Sequence, residues 1–77
     1  MDVIIKNGLL ILCEIKFSID KAEMYIFDKK VAFYEKRHNR KPQRKIVISP
    51  MVDERAKPVA QNLGIKLYSY ANSVELN

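Results

Sequence analysis

Hydrophobic and polar positions change period along the chain, and each change marks an element. From Val3 to Phe17 the residues are apolar almost throughout, interrupted by Lys6-Asn7-Gly8, Glu14 and Lys16. An Asn-Gly pair between two apolar runs is a strong local signal for a β-hairpin. Its arms are Asp2-Val3-Ile4-Ile5-Lys6 and Leu9 to Phe17. From about Asp20 to Arg37 or His38 the period becomes helical. Met24, Phe27, Val31 and Tyr34 recur on one face, and Ala22, Ile26 and Phe33 on roughly the opposite one. Ser18 or Asp20 can cap this helix, and Glu23 stands where a capping box beginning at Asp20 requires it. Pro42 keeps Lys41 out of helical geometry, so the helix must stop before it.

Lys45-Ile46-Val47-Ile48-Ser49 is a continuous apolar run, the pattern of a strand buried on both faces. A second helix is expected from about Asp53 to Asn62, with Ala56, Val59, Ala60 and Leu63 at core spacing. Pro58 lies near its start and Gly64 is placed to end it. Ile65-Lys66-Leu67-Tyr68 reads as a last strand, parallel to the preceding one because a helix crosses between them. A weak helical signal follows over about Asn72 to Leu76. Hairpin, helix, strand, helix, strand is an α/β order and predicts a mixed sheet flanked by helices.

The hairpin's polar residues raise a question of face. Glu14 and Lys16 share one face of the return arm by parity. A two-residue Asn-Gly loop pairs Asp2 with Cys13 and sets it opposite in face to Glu14. A three-residue loop, Lys6-Asn7-Gly8, pairs Asp2 with Leu12 and brings it diagonal to Glu14, about 7–8 Å away. The three-residue loop is the expectation adopted. It makes Val3, Ile5, Leu9, Ile11, Cys13, Ile15 and Phe17 a core face, and sets Ile4, Leu10 and Leu12 beside Asp2, Glu14 and Lys16 on the other. Two carboxylates and a lysine at a sheet edge can hold a hard cation through oxygen and act on a phosphate.

Asp2 followed by Glu14-Ile15-Lys16 resembles the Asp…(Asp/Glu)-x-Lys signature of the restriction-endonuclease-like PD-(D/E)XK nuclease superfamily. The wider run resembles a small archaeal branch of it: Ile5-Lys6-Asn7-Gly8, Ser18, Phe27-Asp28-Lys29-Lys30, Tyr34-Glu35, Ile46 to Pro50 and Leu63-Gly64-Ile65. Relatives carry a helix and a strand before the Asp, so the resemblance implies a truncated core, β-hairpin-α-β-α-β. It also implies catalytic roles for Asp2, Glu14 and Lys16. Mg²⁺ (or Mn²⁺) would be held by Asp2, Glu14 and the Ile15 carbonyl, and Lys16 would assist the attacking water. Lys29 and Lys30 match a basic pair of the family that can face DNA phosphate.

Composition narrows the class. Seventy-seven residues suit one domain, 1–77, which buries only roughly 60% of its unfolded surface. At 48% hydrophobic residues the chain is not disordered by composition. Its apolar runs fall short of the ~18 residues of a membrane span. One cysteine, no internal disulfide and no signal-peptide pattern fit a reducing cytoplasm. Cys13 itself reads as a small core hydrophobe.

A net charge of +5 suits a polyanionic partner. It concentrates between Lys36 and Lys45, where six of ten residues are Lys or Arg. Lys36, Arg37, Arg40, Lys41 and Arg44 are therefore candidates for phosphate-backbone contact near the hairpin site, or a solvated helix end that suits the helix dipole. The surplus apolar surfaces, Ile4/Leu10/Leu12 and Ala22/Ile26/Phe33, predict a homodimer. Three functions are compatible with these readings: a metal-dependent endonuclease, a nucleic-acid-binding module without chemistry, and a structural partner subunit.

Overall fold

The computed structural model describes residues 1–69. Asn7 and Gly8 both take positive φ, 53° and 79°. That is the signature of a two-residue type I′ turn, whose twist matches the strands it joins. Strands β1 (Asp2–Lys6) and β2 (Leu9–Ile15) therefore pair antiparallel with Asp2 opposite Cys13 and Ile4 opposite Ile11. The three-residue loop expected from the sequence does not form. Asn tolerates the left-handed region, so the shorter loop carries little backbone strain. The correction shifts the register by one residue and exchanges the faces.

The chain continues through β3 (Ser18–Ile19), α1 (Lys21–His38), β4 (Arg44–Ile48), β5 (Met51–Val52), α2 (Ala56–Leu63) and β6 (Lys66–Tyr68). The main sheet has the order β1-β2-β4-β6, with β4 parallel to both β2 and β6. It is a mixed sheet, as the element order predicted. The short parallel pair of β3 with β5 was not legible, because two-residue strands show no period. Buried Ser49 secures that junction through its Oγ, 3.2 Å from the Phe17 carbonyl oxygen and 3.1 Å from that of Met51.

Both helices share one core. Met24, Phe27 and Val31 of α1 join Ala56, Val59 and Ala60 of α2 over Leu10, Leu12 and Val47 of the sheet. Ile11, Cys13, Ile46 and Ile48 form a separate cluster on the sheet's other face, with Ile4 and Tyr68 against it. Residues of β2 are thus buried on both sides, whereas on the edge strand Val3 and Ile5 are exposed, as are Ile15 and Phe17. The expected core face of odd-numbered residues is corrected accordingly. So is the expected surface Ile4/Leu10/Leu12: Leu10 and Leu12 are fully buried and Ile4 lies across the sheet from them.

Helix α1 starts where its cap predicts. Asp20 accepts from the Glu23 amide at 2.8 Å, and Glu23 returns the bond to the Asp20 amide. It ends at Asn39, a left-handed C-cap ahead of Pro42. Helix α2 begins later than expected. Asp53 accepts from the Arg55 amide at 2.9 Å and folds residues 53–55 into a turn, so the first helical residue is Ala56. Pro58 then falls in the first turn, where its missing N–H costs no intrahelical bond. Gly64 ends the helix in the left-handed conformation at φ 72°. The tail signal around Asn72 to Leu76 lies outside the described residues.

Candidate active site

The end of β2 carries the acidic and basic residues singled out by the sequence. Glu14 follows Leu10 and Leu12 by parity and turns under α1, where it is buried to 7% exposure. Lys30 Nζ lies 3.3 Å from Glu14 Oε2, and the Met1 amino nitrogen 3.5 Å from Oε1. A carboxylate withdrawn from water needs such partners, since leaving it unpaired is costly. Lys16 faces the same side. Its Nζ lies 3.4 Å from Glu23 Oε2, and its amide donates to the Ile48 carbonyl at 3.0 Å, prolonging the β2–β4 ladder. Glu23 and Lys30 are two helical turns apart on α1, so one stripe of that helix supplies the counter-charge to both residues.

Asp2 is placed differently. It is exposed, opposite Cys13, on the face that carries Ile4 and Ile11. The single-face cluster of Asp2, Glu14 and Lys16 expected from the longer loop is therefore corrected: Glu14 and Lys16 share the α1 side, each paired with a residue of that helix, and Asp2 lies across the sheet at the start of β1. Among the described residues no group of three His, Cys, Asp or Glu side chains stands close enough to hold a metal ion. Ile15 lies one residue beyond Glu14 and is exposed. Its backbone faces the β1 side of the strand, past the last ladder pair, Asp2 with Cys13.

Cys13 sits between the two acids in sequence space and in charge. Burial pushes its thiol above the ordinary 9.0, and the nearby charges of Asp2 and Glu14 add to the effect. A raised folded-state value favours the protonated thiol, so this contribution to stability is complete below the free thiol's value and fades as pH climbs through the folded one. The measurable result is slow alkylation. At about pH 8 Cys13 should react much more slowly in the folded protein than in urea, and equal rates would contradict its placement.

The basic residues separate into two groups. Lys29, Lys30 and Arg37 line a groove of about 450 Å³ together with Met1, Ile26, Phe33, Tyr34 and His38. The Tyr34 and His38 rings lie 4.3 Å apart. Lys30 and Met1 border both this groove and Glu14, so groove and acid are contiguous. Lys36, Arg40 and Lys41 are at the other end of the sheet, where Arg40 Nη2 donates to the Gly8 carbonyl at 3.0 Å. Arg44 pairs with Ile11 across the β2–β4 ladder and donates to the Tyr68 hydroxyl at 3.1 Å. The expected closeness to the hairpin acid is thus corrected for Lys36, Arg40 and Lys41, whereas Arg37 lines the groove beside it. A helix joining two parallel strands runs back along the sheet, so its end lies about 20 Å from Glu14, six residues of strand away.

Sequence reading missed two partners, Lys30 as the counter-charge of Glu14 and Glu23 as that of Lys16. The capping box located Glu23 at the start of α1, but its reach to Lys16 depends on how the helix lies on the sheet.

A hairpin, α, β, α, β order that carries Glu-x-Lys at the end of the hairpin's second strand defines a nuclease-like α/β core. The family model described as the PD-(D/E)XK nuclease superfamily matches residues 1–66, and the chain belongs to that superfamily. Among solved structures, that of EndoMS in its apo form matches with a TM-score of 0.68 and 17% identity over 83% of this chain, which shows a shared fold. The chain corresponds to 30% of that protein's length. No curated protein matches the sequence.

Proposed function

We propose that this protein is a nuclease-like module that acts on nucleic-acid phosphodiesters with Mg²⁺ (or Mn²⁺) at the Glu14–Lys16 end of its sheet. The observation that carries the reading is the placement of a buried carboxylate, Glu14, and a lysine, Lys16, on one face at the end of β2, in a member of this superfamily. The donors suit the ion in kind, since Mg²⁺ takes hard oxygen ligands. Glu14 offers a carboxylate, and the Ile15 carbonyl faces a side where the β1 ladder has ended. Asp2 does not converge with them across a face; it can contribute only around the end of the strand pair. When bound, the ion would supply a water of lowered pKa and neutralise charge on the phosphate. Lys30 balances Glu14 in the resting arrangement and releases it to a ligand by swinging its partly exposed side chain outward. Lys16, freed from Glu23, orients the attacking water. Lys29 and Arg37, in the groove beside Glu14, hold the phosphate backbone.

A second reading is favoured by two observations, the placement of Asp2 across the sheet and the occupation of Glu14 by Lys30. In it the protein binds nucleic acid as a dimeric, non-catalytic partner subunit, through Lys29, Lys30, Lys36, Arg37, Arg40, Lys41 and Arg44.

Incubation of plasmid with Mg²⁺ or Mn²⁺ separates the two readings. The first expects nicking or linearisation by the wild type and roughly 10²–10³-fold less by Lys16→Ala, because a charge-stabilising group near the phosphate is gone. Equal cleavage by both would place the activity elsewhere. Binding without cleavage selects the second reading. In either case affinity should fall steeply between about 50 and 200 mM salt, with a log–log slope near 0.9 per neutralised phosphate, and a flat response would exclude phosphate-backbone binding.

A further inference from the structure

Strand β1 is the outer strand of the main sheet among the described residues. Its outer edge therefore presents unpaired peptide groups, the feature that sheet proteins normally protect with Pro, bulges or inward charges. Residues Asp2–Lys6 hold no Pro and no bulge, and their charges, Asp2 and Lys6, stand only at the two ends of the strand. Val3 and Ile5 are 46% and 63% exposed, and on α1 Ile26 and Phe33, which line a groove with Met1, are 52% and 65% exposed. This strip lies on the α1 side of the sheet, because Val3 pairs with Leu12 and Ile5 with Leu10.

The sequence of the strand is complementary to itself. In an antiparallel pair of two copies centred on Ile4, Asp2 stands opposite Lys6 of the second copy and Lys6 opposite Asp2. Val3 faces Ile5 in the same way, and Ile4 faces Ile4. Backbone polarity selects the same register. In a hairpin with a two-residue turn the pair flanking the turn, Lys6 with Leu9, is a hydrogen-bonded pair, and such pairs alternate along the ladder. Lys6, Ile4 and Asp2 thus direct their peptide groups toward β2, and Val3 and Ile5 direct theirs outward. Pairing Val3 with Ile5 across a two-fold axis uses all of the outward groups, in about four inter-chain hydrogen bonds. Sliding the strands by two residues in either direction loses part of the ladder and sets Asp2 or Lys6 against Ile4.

We propose that the protein forms a two-fold homodimer through antiparallel β1–β1 pairing in this register, joining the two sheets into one. An isologous contact closes on itself and leaves no further β1 edge for growth. The two α1 helices then lie on the same face of the continuous sheet. Strands β2 of the two copies are three strand spacings apart, about 14 Å, so Ile26 and Phe33 of both copies flank the Val3/Ile5 strip and shield it from water. The proposal specifies the dimer that the second functional reading invokes, but it stands on the strand alone and its test does not depend on cleavage.

Light scattering on the 77-residue chain tests it. The wild type should have twice the mass of the 9.0 kDa chain. Lys6→Asp and Asp2→Lys each place like charges opposite one another at two symmetric positions and should weaken the dissociation constant roughly tenfold or more. The double variant Asp2→Lys/Lys6→Asp restores opposite charges in the same register and should recover the wild-type dimer. Far-UV circular dichroism on each variant separates loss of pairing from loss of folding. A monomeric wild type overturns the proposal. So do single variants that dimerise like the wild type, or folded single variants whose weakened association the double exchange does not restore.

Discussion

Phe27→Ala should destabilise the protein by about 3–5 kcal/mol, the usual cost of removing a fully buried phenyl ring. Phe27 is 1% exposed and lies at the centre of the cluster that joins α1 and α2 to β2 and β4. At 0.05–0.15 kcal/mol per residue, a chain of this length has only about 4–12 kcal/mol in total. The substitution therefore removes a large share of the folding free energy. Urea unfolding followed by circular dichroism should show a midpoint shifted far toward zero denaturant, with a largely unfolded population at the low end of that range. A loss below about 1 kcal/mol would mean that the cluster is not the principal core. The effect reaches the candidate site through α1, because Glu23 and Lys30 are delivered to Lys16 and Glu14 by the face of the helix that Phe27 anchors.

Glu14→Gln tests the chemistry with little change of shape. It removes the one buried charged side chain among the described residues. Under the first functional reading, Mg²⁺-dependent cleavage should drop roughly hundredfold or more, about 2.7 kcal/mol of transition-state stabilisation. Folding should persist, because Lys30 is partly exposed and regains water when its partner loses its charge. Asp2→Asn is the informative companion. A loss comparable to that of Glu14→Gln shows that Asp2 reaches the ion around the strand end, and unchanged cleavage shows that the β2 donors suffice. Wild-type cleavage by Glu14→Gln would remove this site from the reaction altogether.

What the sequence alone determined is what depends on neighbours along the chain. The 3.6-residue stripe of Met24, Phe27, Val31 and Tyr34 placed the buried face of α1, and Asp20 with Glu23 placed its start, since caps and periodicity are local properties. Gly64 ended α2, and the unbroken apolar run at residues 46–48 marked the central strand. Parity put Glu14 and Lys16 on one side before any partner was known. The signature Asp2…Glu14-Ile15-Lys16 led to the superfamily in the same way. Tertiary structure decided the rest. Whether Asp2 joined that side depended on one residue of loop length, and the chain's choice of the type I′ turn at Asn7-Gly8 set it across the sheet. Which face of the hairpin is core followed from where the helices lie: interior strand β2 is covered on both faces while its equally apolar neighbour β1 is left exposed at the edge. Lys30 meets Glu14 only because α1 packs back over β2, and Lys36, Arg40 and Lys41 lie far from that acid for the same reason. A charge pattern names candidate residues, but only the crossing of a helix over a sheet settles which of them meet, because side-chain distances across elements are not written in sequence spacing.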